Sequence, residues 1–121
     1  MIRRKRGNYD YGLGRLPAGR MNKTEARYAG HLQQLSLAGE VCYFKFESVK
    51  LRLADSTFYL PDFLVMKSDG VIEFHEVKGF MRDDAAVKIK VAADLFPFRF
   101  LLVKAGRKGS WDITTITREV E

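Results

Sequence analysis

The spacing of hydrophobic and polar positions changes several times along the chain, and each change marks an element. Residues 1–21 keep no period: a basic cluster is followed by Tyr9, Tyr11 and four glycines, which reads as a flexible arm. Over residues 23–38, Tyr28, Ala29, Leu32 and Leu35 recur at helical spacing. Asn22 or Thr24 can cap that helix, Glu25 falls in its first turn, and Ala38-Gly39 stops it. Residues 41–46 are rich in β-branched and aromatic side chains and predict a strand. In residues 49–53, Val49, Leu51 and Leu53 alternate with Lys50 and Arg52, the pattern of a half-buried antiparallel strand. Residues 58–66 and 71–78 predict two more strands joined by Ser68-Asp69-Gly70. Residues 83–95 predict a second helix, with Asp83 and Asp84 at its N-terminus and an apolar stripe of Ala86, Val87, Ile89 and Ala93. Pro97 closes it, residues 98–103 form a core strand, Arg107-Lys108-Gly109 makes a basic turn, and residues 111–116 form an edge strand. The order α, several β, α, β predicts a mixed α/β fold, a sheet flanked by helices.

Two strands break their own pattern. The even positions of 58–66 are Phe58, Leu60, Asp62, Leu64 and Met66, so an acid interrupts an apolar face. The even positions of 71–78 are Ile72, Phe74, Glu76 and Lys78, apolar at one end and charged at the other. Ionised groups are expensive to bury singly, so these must pair, bind a metal or open onto a cleft. A three-residue loop ending in Gly70 pairs Lys67 with Val71, Leu64 with Phe74 and Met66 with Ile72. A two-residue loop would mix apolar with polar faces, so the apolar pairing selects the first register. Asp62 then faces Glu76, with Lys78 two residues along the same face. Adjacent carboxylates are reconciled by a shared proton or a divalent cation. Oxygen donors without a His or Cys partner favour Mg²⁺ or Mn²⁺ over zinc. A lysine beside such a metal is suited to hold an attacking water or to stabilise a developing oxyanion.

Composition narrows the setting. The 121 residues fit one domain, with 1–21 as the arm and 22–121 as the body. No run of about 18 apolar residues occurs, so no membrane span is expected. Cys42 is the single cysteine, which excludes an internal disulfide and points to a reducing cytoplasm. The net charge of +6 is unevenly placed: Arg3, Arg4, Lys5, Arg6, Arg15 and Arg20 oppose only Asp10 in the first 20 residues, leaving a body close to neutral. A basic arm on a neutral body suits a phosphate backbone, although a solubilising tail has the same composition. Gly14 to Gly19 has the gap of a phosphate-binding loop but lacks its Lys-Ser/Thr pair and a preceding strand.

Pro61-Asp62, a hairpin, then Glu76-Val77-Lys78 is the PD-(D/E)-x-K arrangement, and with the flanking elements the chain resembles the PD-(D/E)XK nuclease superfamily over about residues 22–103. The stretches Asn22-Lys-Thr-Glu-Ala-Arg, Tyr59-Leu-Pro-Asp-Phe and His75-Glu-Val-Lys-Gly-Phe are similar to a small phage-encoded nuclease family, neighbour to phage endonuclease I and the Holliday junction resolvases. The resemblance implies a restriction-endonuclease-like αβββαβ core, an Mg²⁺-dependent endodeoxyribonuclease in which Mn²⁺ substitutes, and 5′-phosphate products. It further implies the cytoplasm of a bacterial host, if the chain is phage-encoded. It implies that Asp62 and Glu76 hold the metal with the Val77 carbonyl, and that Lys78 positions the water. Glu25, three residues before Tyr28, is the first-helix Glu that many members place in the metal site.

The chain has no recognisable major-groove reading module, which favours structure-selective cleavage such as junction resolution, and symmetric cutting of a junction needs a C2 homodimer. Low-specificity nicking or degradation of duplex is the alternative. A non-catalytic nucleic-acid-binding module and an interaction protein with a mere ion-pair cluster are rivals from other classes. Candidate DNA contacts are Arg3, Arg4, Lys5 and Arg6 in the arm, Lys88 and Lys90 on the second helix, and Arg107 and Lys108 in the basic turn. His75 reads as a core or solvated residue, His31 as a surface one, Cys42 as buried core, and Trp111 as core or edge cover.

Overall fold

The computed structural model describes residues 19–78 and 83–117. The arm residues Arg3, Arg4, Lys5 and Arg6 therefore lie outside the described residues. Helix α1 runs Lys23–Leu37. Asn22 is its cap: Asn22 Oδ1 accepts from the Glu25 N–H at 2.8 Å and Glu25 Oε1 accepts from the Asn22 N–H at 2.8 Å, a reciprocal box that satisfies two orphan donors. Thr24 lies within the helix, which ends ahead of Gly39, at φ +83°, a conformation favouring glycine.

The strands are β1 (Val41–Phe46), β2 (Leu51–Ala54), β3 (Thr57–Tyr59), β4 (Phe63–Lys67), β5 (Ile72–Lys78), β6 (Arg99–Ala105) and β7 (Trp111–Ile116); helix α2 (Asp83–Leu95) precedes β6. Five of the strands form one mixed sheet in the order β1-β4-β5-β6-β7. β1, β4 and β5 are antiparallel, α2 carries the chain into parallel β6, and β7 turns back antiparallel. The β4–β5 register is the one the apolar faces select, with Leu64 opposite Phe74 and Met66 opposite Ile72. Gly70, at φ +90°, supplies the left-handed turn residue, and Lys67 accepts from Gly70 while donating to Val71.

The single strand expected over 58–66 is in fact two. Pro61 cannot donate to a ladder, and the chain bends through 60–62. Before the bend, β3 pairs with β2 in a separate two-stranded sheet; after it, β4 enters the main sheet. Asp62 thus stands at the mouth of β4 rather than in mid-strand, and its carbonyl accepts from the Glu47 N–H at 2.8 Å.

Both faces of the sheet are covered. On the odd face of β5, α1 buries Tyr28 and Leu32 against Val41, Phe63, Val65, Val77 and Val103. On the even face, Ile89, Ala92 and Ala93 of α2, with Leu51 and Tyr59 of the hairpin, cover Phe74 and Phe100. Each fully buried aliphatic or aromatic side chain contributes about 1.5–3 kcal/mol. The α2 stripe is rotated from expectation: Val87 points outward, 59% exposed, while Ala92 takes its place inside. Cys42 is exposed rather than core, because a bulge between Val41 and Tyr43 turns the edge strand β1 outward there. His31 is half-buried, its ring 5.6 Å from Tyr28 and 6.3 Å from Trp111.

The buried polar residues on the odd face form one chain. The Tyr28 hydroxyl meets His75 Nδ1 at 2.6 Å, His75 Nε2 meets Glu73 Oε1 at 2.9 Å, and Arg99 reaches Glu73 Oε2 at 3.3 Å. This network satisfies His75 as a core residue. Among the described residues, no helix is long and apolar enough to cross a membrane.

Candidate active site

The antiparallel run of β1, β4 and β5 brings three chain segments to one end of the sheet: the end of β1, the start of β4 and the end of β5. That end is where the sheet loses its apolar character. Asp62, only 8% exposed, is fixed by a 2.7 Å hydrogen bond from the Val77 N–H to its Oδ2. Its carboxyl is also hydrogen-bonded to those of Glu76 and Glu25. α1 approaches from the opposite face of the sheet, and Glu25 reaches Asp62 around the sheet's end while still serving its capping box. The Asp62 carboxyl therefore lies against those of both Glu76 and Glu25.

Electrostatics at this end is dominated by dehydration. Burial pushes the Glu25 carboxyl up to about 7, with the Asp62 and Glu47 charges adding to the effect and the Asn22 N–H opposing it. Asp62 is raised by burial first, then by the charge of Glu76 and the hydrogen bond with it; the Val77 N–H pulls the other way. Glu76 is also raised by burial, though the hydrogen bonds from Asp62 and Tyr59 lower it. Such clustering of raised carboxyls is characteristic of functional sites.

Two further residues join the site that the sequence reading did not assign to it. Tyr59, buried at the end of β3, donates to Glu76 Oε1 at 2.5 Å. Burial and the Glu76 charge keep its phenol protonated, so it remains a donor. Glu47 follows β1 in the left-handed region at φ +46°, a strained setting for a side chain with a Cβ. Its backbone N–H holds Asp62, and its Oε2 accepts from the Gly19 N–H at 2.8 Å. The alternation over 58–66 puts Phe58 and Leu60, in fact 38% and 40% exposed, on the apolar face and so gives no sign that Tyr59 is the buried residue; nothing local in sequence marks Glu47.

Lys78 lies at the end of β5, half-buried, on the same side as Glu76. It makes no ion pair among the described residues. Lys104 of β6 stands opposite it in the parallel register. The basic turn Arg107–Gly109, a short 3₁₀ segment, continues from the end of β6, so Arg107 and Lys108 project from the same end of the sheet. Lys88 is half-buried and Lys90 exposed on α2; no contact ties either to the carboxylates among the described residues.

Among the described residues, no group of three or more His, Cys, Asp or Glu side chains is arranged to hold a metal ion. The carboxyls are instead hydrogen-bonded to one another in pairs. The donor set nonetheless suits a hard divalent cation. It is all oxygen, it is dehydrated, and its mutual repulsion is what a cation relieves. Comparison with protein-family models, with curated proteins and with solved structures finds no match to this chain.

Proposed function

We propose that this chain is a metal-dependent endodeoxyribonuclease with a PD-(D/E)XK-type site on a restriction-endonuclease-like core, β1, β4, β5, α2 and β6 being the core strands and crossover. One observation carries the reading: the Asp62 carboxyl, bonded to the backbone of Val77, is hydrogen-bonded to that of Glu76 one residue before, while Lys78 follows one residue after. An ion-pair cluster would bring a cation into contact with each buried acid; here acid meets acid.

Asp62, Glu76, the Val77 carbonyl and Glu25 would hold Mg²⁺, or Mn²⁺ in its place. The ion, when bound, neutralises charge on the scissile phosphate and acidifies coordinated water. The rest falls to the chain. Tyr59 orients Glu76 through its hydroxyl, and the Val77 N–H fixes Asp62. Lys78 orients the attacking water and steadies the charge that grows on the phosphate oxygens. Arg107 and Lys108, at the same end of the sheet, contact backbone phosphates away from the cut, and Lys88, Lys90 and the basic arm extend that contact.

The substrate we favour is branched DNA, cut by a homodimer. A body of this size has no major-groove reading module, so selection by shape is the economical route. Nicking or degradation of ordinary duplex is the second reading, and the unevenly basic chain would serve it equally. The test is conversion of supercoiled plasmid to nicked and linear forms. Wild-type protein should cut with Mg²⁺ or Mn²⁺ and not with EDTA, and Asp62→Ala should abolish cutting. Cutting in EDTA, or by Asp62→Ala, overturns the assignment.

A further inference from the structure

The β2–β3 hairpin has two chemically different faces. Leu51 pairs with Tyr59 on the inward face, and both are buried against α2 and the sheet. Arg52 pairs with Phe58 on the outward face, where the flanking Lys50 and Leu60 are exposed as well. This face is not a simple solvated surface. Phe58 leaves 38% of its area in water and Leu60 leaves 40%. The Lys50 ammonium sits 4.5 Å from the Phe58 ring centre. The acid paired with this face is Asp55 at the turn, 3.9 Å from Arg52 and itself almost fully exposed, so it neutralises little. The inward side of the same strand carries Tyr59, whose hydroxyl holds Glu76. The outward plate therefore sits one residue along the chain from Tyr59, the residue that holds Glu76.

We propose that Phe58, Lys50 and Arg52 form a binding plate for unpaired DNA strand: one base stacks on Phe58, and the two cations hold its flanking phosphates. An exposed aromatic ring beside two cations of the neighbouring strand is the combination that single-stranded nucleic acid requires. Every base has a stacking face, and each phosphate carries a charge. Duplex DNA keeps its bases inside and offers Phe58 nothing to stack on. The plate thus selects substrates with unpaired nucleotides beside the cut, such as flaps, bulges and open junction centres. This deepens the nuclease reading, on which it rests only for the nature of the polymer.

The test is fluorescence anisotropy in EDTA, with no cleavage, using a labelled oligothymidylate of about 12 nucleotides and a blunt duplex of equal length. Phe58→Ala should weaken the oligothymidylate by about 5-fold or more, the low end for one lost base–aromatic stack. The duplex should change by less than about 2-fold, and Phe58→Trp should keep oligothymidylate affinity at or above wild type. Lys50→Gln and Arg52→Gln should each flatten the salt dependence of oligothymidylate binding by about 0.7 in log–log slope. Equal loss on both probes, or no loss on oligothymidylate, overturns the plate. The two readings fail separately. A chain that cuts DNA with Mg²⁺ but ignores Phe58→Ala refutes the plate alone. A chain that never cuts but loses oligothymidylate on Phe58→Ala refutes the nuclease alone.

Discussion

Asp62→Asn should make the protein more stable and inactive at once. The asparagine amide is close to isosteric with the carboxyl. Its oxygen can still accept from the Val77 N–H, now at 2.7 Å from Asp62, and its NH₂ can donate to the Glu76 and Glu25 carboxyls. What disappears is the cost of ionising a dehydrated acid beside other acids. Burial, with the Glu76 charge and hydrogen bond behind it, pushes Asp62 from 3.8 up to about 8. Each pKa unit is worth about 1.4 kcal/mol, so at pH 7 a lone group so placed would cost about 4 kcal/mol. The ionisation is spread over Glu25, Asp62 and Glu76, and removing one member recovers part of this, about 1–2 kcal/mol. For a domain of this size that is a rise in Tm of about 4–8 °C. The folded pKa lies above the unfolded one. The folded state is therefore favoured at low pH and loses that advantage as pH climbs through the interval. The gain from Asp62→Asn must then be larger at pH 8 than at pH 5. Scanning calorimetry in EDTA at both values measures it, with plasmid cleavage run alongside. A lower Tm at pH 8, a gain that is equal at pH 5, or surviving cleavage would refute the reasoning.

Lys78→Gln should abolish cleavage while leaving stability within about 0.5 kcal/mol of wild type and DNA affinity within about 2-fold, because the side chain is half-buried and unpaired among the described residues; calorimetry and anisotropy check it. Glu25, held at about 7, must lose its proton for a cation to bind, so Mg²⁺ should raise Tm more at pH 8 than at pH 6, and equal shifts at both would contradict it. Tyr59→Phe removes the 2.5 Å donor to Glu76 and should cost about 1.5–3 kcal/mol in denaturant titration, with slower cleavage at saturating Mg²⁺. Tyr28→Phe leaves His75 Nδ1 without its partner and should cost about 1–3 kcal/mol with cleavage per folded molecule unchanged, which separates the core network from the site.

What could be read from the sequence was whatever period and turn chemistry determine. The β4–β5 register followed from Gly70 and two apolar faces, and it alone set Asp62 beside Glu76. The Asn22 box, the spacing of Tyr28 and Leu32, and so the approach of Glu25 were equally local. The misses have a common physical origin. A strand covered on both sides shows no clean alternation, so Glu73 and His75 gave no sign that α1 buries them in a polar network. The break at Pro61 falls inside the single strand expected over 58–66, and the transfer of β3 into a separate hairpin depends on pairing with β2, a contact at a distance. Cys42 is exposed because of a bulge that composition does not encode. Glu47 joins the acids through backbone bonds to Asp62 and Gly19, which no spacing rule reaches.

The most direct test of the central claim is cleavage by the purified protein of labelled four-way junction, nicked duplex and linear duplex, side by side with Mg²⁺ or with EDTA, using wild type and Glu76→Gln. The account predicts Mg²⁺-dependent cutting by wild type, strongest and in symmetric pairs on the junction, and none by Glu76→Gln. Cutting of all three alike would keep the nuclease and discard the junction preference. The absence of metal-dependent cutting on every substrate, or full activity in Glu76→Gln, would contradict the assignment of these carboxylates to catalysis.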